Sequence, residues 1–534
     1  MSFAKLKATR EAKQSYVTPN IPENSQESSA VPSQAVHQPA EETAVTEKIY
    51  KAIPDYLESR TSQTSGRGLW MKQSCSPGQI ILAVKPHAAA LSNDRMDSHC
   101  SQCFGAGNSL KRCTKCQAVY YCDSMCQNID WPLHKHECAA LQRIAASGDP
   151  SIPSDAIRCL GRIMWKRQKQ GPTSAWVGSI INIQPSAYEL HTHLAISLFV
   201  TNTFTITDPS LTPLGASVSP PVALINHSCD PNAVVPAQEP LMQVIALREI
   251  RADEEILTAY VDTTLPKAMR QAALRETYLF SCGCQLCTSV ADIDPRESVW
   301  CPKACGGMCP APTEEDSLSR CTKCKAVLQK TDEVLDALRI GQQALDKVTA
   351  LQFSDPAKAR QLTTNLVPIL TSAGLTPASH PLLALTRLHQ ALLIAELPGA
   401  PAQAQVLLDE AIVAATKTLA GLGAVLRAGH PVRGIARTEL GKLLAVDEPA
   451  PAPNSGSAAE EALRYPPSGA KRLRLALETL VQARAELGVG FGAPNEGGAV
   501  GREVREDIVR LERELGVWKK GLGEALRDAR EAGA

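Results

Sequence analysis

Between residues 100 and 138 the chain reads C-x2-C-x9-C-x2-C-x5-C-x3-C-x7-H-x3-C. No other feature limits so tightly what a segment of this chain can fold into. The candidate ligands are Cys100, Cys103, Cys113, Cys116, Cys122, Cys126, His134 and Cys138, and eight soft ligands satisfy two tetrahedral Zn²⁺ sites. The stretch has too few apolar residues to fold unaided, so metal binding must supply its folding free energy. His136, two residues past His134, is an alternative ligand. The N-terminus (MSFAKLKATREAKQ) lacks an apolar h-region, which argues against secretion. In a reducing compartment disulfides are a poor use for the chain's 18 cysteines. Apart from a single cysteine at 229, only Cys75 and Cys159 fall outside short-range clusters, and grouping of that kind points to metal.

A second block runs from 222 to 287. The apolar run Val222–Asn226 ends in Asn226-His227-Ser228-Cys229-Asp230-Pro231-Asn232. A strand-like stretch (Leu241–Leu247), a polar turn (Arg251–Glu254) and an apolar stretch with Tyr260 (Ile256–Val261) follow. The block closes on Tyr278-Leu279-Phe280 and Cys282-Gly283-Cys284-Gln285-Leu286-Cys287. C-x-C-x2-C supplies three thiolates, one short of a closed tetrahedral site. Cys229 is the obvious fourth, and zinc there would pin the 226–229 turn to the cysteine tail.

In the first block, Tyr120-Tyr121-Cys122, Cys126-Gln127, Trp131 and His134-Lys135 make the ligand order resemble a MYND zinc finger. That resemblance implies interleaved pairing, Cys100/Cys103 with Cys122/Cys126 and Cys113/Cys116 with His134/Cys138. In the second, Asn226-His227-Ser228-Cys229, Tyr260 and the C-x-C-x2-C resemble the SET domain of protein lysine methyltransferases and its post-SET zinc site. Upstream, Gly66-Arg67-Gly68-Leu69-Trp70, Pro77-Gly78 and the apolar Gln79–Val84 resemble the family's first SET strands. A MYND finger between two SET halves marks the SET-and-MYND subfamily. The likeness covers roughly 60–290, and its motif order is specific. One departure is Ala252-Asp253-Glu254-Glu255, where the family has glycine; Asp tolerates left-handed backbone better than most residues, so the turn is expected to survive.

The resemblance implies methyl transfer from S-adenosylmethionine to a lysine. Gly66, Arg67, Gly68 and Trp70 would lie along the cofactor, Asn226 and His227 would hold its two ends, and Asn202 would add a contact. Tyr260 would be catalytic, Phe280 would stack on adenine, and Tyr278 would line the lysine channel or the cofactor wall. The zinc ligands implied are the eight of the finger (two ions) and Cys229, Cys282, Cys284 and Cys287 (one ion). Between 301 and 324, the spacing C-x3-C-x3-C-x11-C-x2-C offers a further site from Cys301, Cys305, Cys321 and Cys324, with Cys309 able to replace either of the first two. The physical requirements agree: a buried lysine loses its proton more easily because desolvation penalises the ammonium form, and a sulfonium is stabilised by oxygens and aromatic faces.

At roughly 100–200 residues per domain, a chain of 534 residues holds several units. The expected fold class is α+β: a β-rich SET domain with an inserted MYND finger and a post-SET zinc site, followed by an all-α tetratricopeptide-like domain. The expected divisions are a disordered tail (1–45), an N-terminal SET lobe (46–99), the finger (100–138), a SET insert (139–198), the core SET region (199–263), the post-SET region (264–288), a Cys-rich segment (289–330) and helical repeats (331–534). Beyond 331 cysteine disappears, and Ile508, Leu511, Leu515, Trp518, Leu522 and Leu526 recur at helical spacing. His380-Pro381 and His430-Pro431, fifty residues apart, each precede an apolar helical stretch, one reaching Ala395 and the other Val446. The stretches 447–458 and 488–501 read as long loops.

Lys+Arg 55 balances Asp+Glu 55, so no global field draws nucleic acid or acidic membrane. The finger is similarly balanced, with Lys111, Arg112, Lys115 and Lys135 against Asp123, Asp130 and Glu137. It lacks the basic stripe that phosphate binding needs. Peptide binding, for which the resemblance suggests proline-rich partners, or a purely structural role suits it better. No apolar run reaches the ~18 residues of a membrane span. The expected partner is a protein presenting a lysine, histone or not, in nucleus and/or cytoplasm, with the chain a monomer. The rival expectation is a catalytically silent adaptor that binds peptides through the finger.

Overall fold

The computed structural model describes residues 53–62, 66–147, 151–170, 201–236, 241–289, 293–314, 317–397, 401–448 and 465–531. The expected tail at 1–45, the whole 171–198 part of the insert and nearly all of the expected loop at 447–458 lie outside them. The described chain forms two compact units. One holds the residues up to Tyr260 together with Arg275–Phe280, and the other holds Val261–Leu274 and the residues from Ser281 onward.

The first unit is built from short strands: β1 (Leu57–Ser62), β2 (Gly66–Met71), β3 (Ile80–Val84), β4 (Ala88–Leu91), β5 (Lys111–Arg112), β6 (Tyr120–Tyr121), β7 (Thr203–Thr207), β8 (Pro213–Val218), β9 (Asn226–His227), β10 (Ala233–Val234), β11 (Met242–Ala246) and β12 (Leu257–Thr258). β11 is almost wholly buried and pairs antiparallel with β10 on one side and β3 on the other. It therefore reads as a near-continuous apolar run, because both of its faces meet protein. β8 likewise lies between β4 and β7. The core joins Leu57, Leu69, Met71, Ile81, Val222, Ile225, Val244 and Ile256, drawn from segments far apart in sequence. The apolar stretch around Tyr260 forms less strand than its composition suggests. Only Leu257–Thr258 pairs, in parallel with Asn226–His227, and Tyr260 lies beyond the ladder in a bend.

Within this unit the finger carries β5, β6 and helix α1 (Ser124–Ala146), which Asp123 caps by accepting a hydrogen bond from Cys126 N at 2.8 Å. Helix α2 (Asp155–Gln170) packs Cys159 and Ile163 on Ala88, Ala90 and Val218.

The second unit begins with α3 (Lys267–Tyr278), whose last turn belongs to the first unit, and the single turn α4 (Gln285–Thr288). A hairpin, β13 (Ser298–Trp300) with β14 (Met308–Pro310), follows. Among the described residues seven helices follow: α5 (Thr331–Leu351), α6 (Pro356–Ser372), α7 (Leu382–Glu396), α8 (Pro401–Val425), α9 (Pro431–Leu444), α10 (Gly469–Gly490) and α11 (Gly498–Glu531). Each helix packs on the next in sequence. The two His-Pro repeats do start helices, but by different contacts. His430 caps α9 by accepting from Val432 N, whereas His380 pairs through Nε2 with Gln342 Oε1 at 3.0 Å.

The stretch 488–501 is not a long loop. α10 runs on to Gly490, a 3-10 turn occupies Ala493–Asn495, and α11 starts at Gly498. Its glycines read as a linker, but Phe491 is buried there and anchors a tight reversal. Among the described residues no helix is long and apolar enough to cross a membrane.

Candidate functional site

Three segments of the first unit meet around the end of β9. The side-chain amide of Asn226 donates to the Arg67 carbonyl at 3.1 Å and to Glu255 Oε1 at 2.8 Å, tying β2 to the 255–258 segment. Gly68 is required at this junction. A Cβ there would stand 2.3 Å from Glu255 Oε1, 2.7 Å from the Trp70 ring and 2.8 Å from Asn226 Nδ2. Trp70 bridges Glu255 along the backbone. Asn232, buried, splices the loop to the same segment, donating to the Glu255 carbonyl at 2.7 Å and accepting from Leu257 N at 2.8 Å. Neither Glu255 nor Asn232 carries a role in the sequence reading. Asn232 ends the very motif that drew attention, and the apolar residues on both sides of the loop were the available signal that a polar side chain there must pair with backbone.

Tyr260 is held at both ends. Its backbone N–H donates to His227 Nδ1 at 3.0 Å, and its hydroxyl donates to the Ile225 carbonyl at 2.6 Å. Because Nδ1 accepts, a neutral His227 carries its proton on Nε2, which lies 3.3 Å from Cys229 Sγ. Burial, reinforced by Tyr278 and the Glu255 carboxylate, raises the Tyr260 hydroxyl well above the ordinary tyrosine range, so it keeps its proton at neutral pH. The Tyr260 ring lies 4.9 Å from that of Tyr278 and 5.3 Å from that of His227. Phe280, 37% exposed, sits 6.0 Å from His227 on the open side. Leu279 at φ 61° sets its direction. Asp253 takes the left-handed conformation expected of it, φ 62°, where Arg60 Nη2 reaches its carboxylate at 2.6 Å. Gly66 and Arg67 are exposed at the start of β2. Asn202 precedes β7, and its amide donates to Thr201 Oγ1 at 3.1 Å.

In the finger, the ligand atoms of Cys100, Cys103, Cys122 and Cys126 lie within 4.8 Å of one another, as do those of Cys113, Cys116, His134 and Cys138. Zn–S bonds of ~2.3 Å in a tetrahedron set ligands about 3.8 Å apart. The Cys103–Cys122 pair at 3.6 Å, Cys113–Cys138 at 4.0 Å and Cys116 Sγ–His134 Nε2 at 3.6 Å suit zinc. His136 is outside both groups and stacks on Trp165 instead.

His134 is oriented from behind by a buried ionic network. Its Nδ1 lies 3.2 Å from Glu137 Oε2, which leaves Nε2 facing the thiols. Arg162 of α2 reaches Glu137 at 2.6 Å and both oxygens of Asp130 at 3.0 and 3.2 Å, and Asp130 accepts from the Tyr121 hydroxyl at 2.8 Å. Burial alone would push Glu137 up, but the Arg162 guanidinium and the His134 contact outweigh it and bring the carboxyl down to about 2.

Cys229 follows β9 and is buried. Cys282 and Cys284 lead into α4 in the other unit, and Cys287 lies within it. There the Gln271 side chain clamps the Cys282 backbone through both its N–H and its carbonyl, at 2.9 and 2.8 Å, and Cys284 N donates to Cys282 Sγ at 3.4 Å.

A MYND finger family model matches residues 100–138. The N-lysine methyltransferase SMYD2 of Homo sapiens is 33% identical over 264 residues, 44% of this chain and 60% of that protein. The Gallus gallus SMYD2 is 32% identical over 271 residues, again 44% and 60%. The histone-lysine N-methyltransferase ASHR1 of Arabidopsis thaliana is 32% identical over 257 residues, 42% of this chain and 53% of that protein. The chain is thus similar to SMYD-type lysine methyltransferases over its matched part. It spans about three fifths of the length of the SMYD2 relatives it matches. The finger is one continuous element with α1, which continues past Cys138 to Ala146, so the metal sites and the helix that meets Arg162 are built on a common support.

Proposed function

We propose that this chain is an S-adenosylmethionine-dependent protein-lysine N-methyltransferase, acting on a histone or non-histone lysine in nucleus or cytoplasm. Its β-rich unit would be a SET domain with the finger inserted, and its helices a tetratricopeptide-like array. The observation that carries the reading is Tyr260. Its protonated hydroxyl is fixed on the Ile225 carbonyl beside His227, Tyr278 and Phe280, and the SMYD-type relatives bear the name of this activity.

The residues present fit the cofactor. The exposed Gly66 and Arg67 at the start of β2 and the open Phe280 face would supply polar contacts and a π surface for a purine. When bound, S-adenosylmethionine supplies a methyl group on a sulfonium. Asn226 and His227 would hold the two ends of the cofactor, while the Tyr260 and Tyr278 rings would wall off water around the incoming lysine. Desolvation there lowers the lysine pKa, so the amine arrives neutral without a strong general base. Tyr260, its own proton committed to Ile225, leaves its oxygen lone pairs to accept an N–H of the amine and orient it. Positioning of this kind contributes about 7–11 kcal/mol to such displacements. By the resemblance Cys229, Cys282, Cys284 and Cys287 would be the ligands of a post-SET zinc, and His227 Nε2 lies 3.3 Å from Cys229 Sγ. Retention of this arrangement disfavours the silent adaptor.

The test is labelled methyl transfer into the proteins of a cell extract. The full chain should label lysine, and Tyr260→Phe, folded and with its cofactor affinity kept, should lose at least about a hundredfold in rate. Equal labelling by the variant contradicts the assigned role.

A further inference from the structure

The Cys-rich segment before the helices repeats the finger's backbone. In the finger, Cys100 N donates to the Gly105 carbonyl at 2.9 Å, Phe104 N returns to the Cys100 carbonyl at 2.8 Å, and Phe104 is left-handed at φ 62°. Its second C-x2-C makes the same turn, with Gln117 N on the Cys113 carbonyl at 3.0 Å and Gln117 at φ 55°. At 321–326, Cys321 N donates to the Ala326 carbonyl at 2.8 Å, Lys325 N returns to the Cys321 carbonyl at 3.0 Å, and Lys325 lies at φ 59°. The flanking bridges match as well, His99 with Ala106 and Arg320 with Val327. A turn that costs a non-glycine residue a left-handed conformation three times, each time directly after a C-x2-C, has a common cause: it aims two thiolates at one point.

The other two thiols come from the β13–β14 hairpin. Cys301 N donates to the Gly307 carbonyl at 3.0 Å and Lys303 N donates to Cys301 Sγ at 3.4 Å. Thr322 N and Oγ1 both reach the Met308 carbonyl, at 3.0 and 3.2 Å, locking one knuckle to the other. The four sulfurs of Cys301, Cys305, Cys321 and Cys324 then fall within 4.8 Å of one another, with Cys301–Cys324 at 3.4 Å and Cys305–Cys321 at 3.5 Å. These separations are far beyond the ~2.05 Å of a disulfide and near those of ligands sharing one ion. They crowd the hairpin so closely that a Cβ on Gly307 would stand 2.8 Å from Cys321 Sγ. Cys309 is not among them. It lies on β14 opposite Val299, fully buried in the core.

We propose that Cys301, Cys305, Cys321 and Cys324 bind a structural Zn²⁺ whose task is to cap the first end of the helical array. Four thiolates with no carboxylate or open position make a closed structural site. The sheet it folds docks directly on the helices: Trp300 N donates to the Gly374 carbonyl at 2.8 Å, Val299 bridges Leu375, and Cys301, Cys309 and Cys321 share a core with Val334, Ala337, Leu370 and Leu385 of α5, α6 and α7. Stacked helices expose an apolar face at each end and need a cap. This segment is too short to build an apolar core of its own, and an ion supplies one.

The test uses the full chain, purified under reducing conditions and analysed for zinc per molecule. Cys321→Ser with Cys324→Ser should hold one zinc fewer than the wild type; equal zinc, or iron in place of that zinc, overturns the proposal. A second measurement does not depend on the variant folding. Cys324 is exposed, so an unliganded thiol there would react at once with a maleimide. In the zinc-replete wild type, peptide mapping should find Cys324 protected, with alkylation faster by an order of magnitude or more after chelation. Immediate alkylation of Cys324 in the zinc-replete chain overturns the proposal.

Discussion

The finger and the helical array bury their interiors by opposite means. Around the finger metal ligands are built into the core: Cys100, Cys113 and Cys138 are buried among Phe104, Val119 and Tyr121, and a salt-bridged Arg162 closes the back. In the array the core is leucine and alanine, with Leu385, Leu393, Leu443, Leu480, Leu487 and Leu511 at or near zero exposure. The first concentrates its folding free energy in a few bonds and one ionic network. The second spreads it over many methyl groups. Loss of one ligand should therefore remove the finger as a whole, while loss of one leucine should only weaken the array.

The largest expected effect comes from stripping the metal. Structural zinc contributes about 10–16 kcal/mol in small finger peptides, so Cys113→Ala or a strong chelator should abolish amide protection across 100–138. The helices from α8 to α11 should keep theirs in the same hydrogen-exchange experiment. Loss of both together would break the contrast. Next is Arg162→Leu, which leaves Asp130 and Glu137 buried without their cation. It should cost about 3–5 kcal/mol in denaturant unfolding, and Arg162→Lys should rescue it only in part because lysine lacks the two-pronged contact. A cost below 1 kcal/mol, on the order of an exposed ion pair, would mean that the network is not what holds His134.

On the other side of the comparison, Leu443→Ala should cost about 2–5 kcal/mol with zinc content unchanged. A drop in the zinc bound by the finger would show that the array and the finger are not energetically separate. The smallest effect is the array's response to acid. Burial pushes His389 and His430 down to about 4, so both stay neutral in the fold while the unfolded chain takes up protons near pH 6.5. Their contribution is complete above pH 6.5 and is lost as pH falls from there toward 4, at up to about 1.4 kcal/mol per pH unit for each histidine. The urea midpoint followed by helix signal should fall between pH 6.5 and 5, and His430→Asn, which keeps a capping side chain, should make that slope shallower. An unchanged slope would remove His430 from the explanation.

What could be read in the sequence follows from the same contrast. Metal ligands announce themselves by spacing, so the cysteines that meet in the finger and at 301–324 were identifiable before any coordinates. The left-handed Asp253 was legible too, because few residue types accept that conformation. Arg162, Asp130 and Glu137 were not. Charges on helices usually face water, and nothing local marks three that meet across α1 and α2. Glu255 escaped for a related reason: Asn226, which donates to its carboxylate, and Gly68, whose missing side chain leaves room for it, come from other segments. The supposed loop at 488–501 failed because glycine and proline signal a break in helix but not its length, and Phe491 anchors that break into a tight turn.

The central claim is that the segments around Gly68, Asn226, Tyr260 and Phe280 form a working cofactor pocket. The most direct measurement is a calorimetric titration of S-adenosylhomocysteine into the zinc-loaded full chain, beside Asn226→Ala, whose amide joins Arg67 to Glu255. Saturable binding at micromolar concentration, weakened at least about tenfold in the variant, is the result expected. A folded, zinc-replete chain that binds none of it would contradict the account and favour the peptide-binding adaptor.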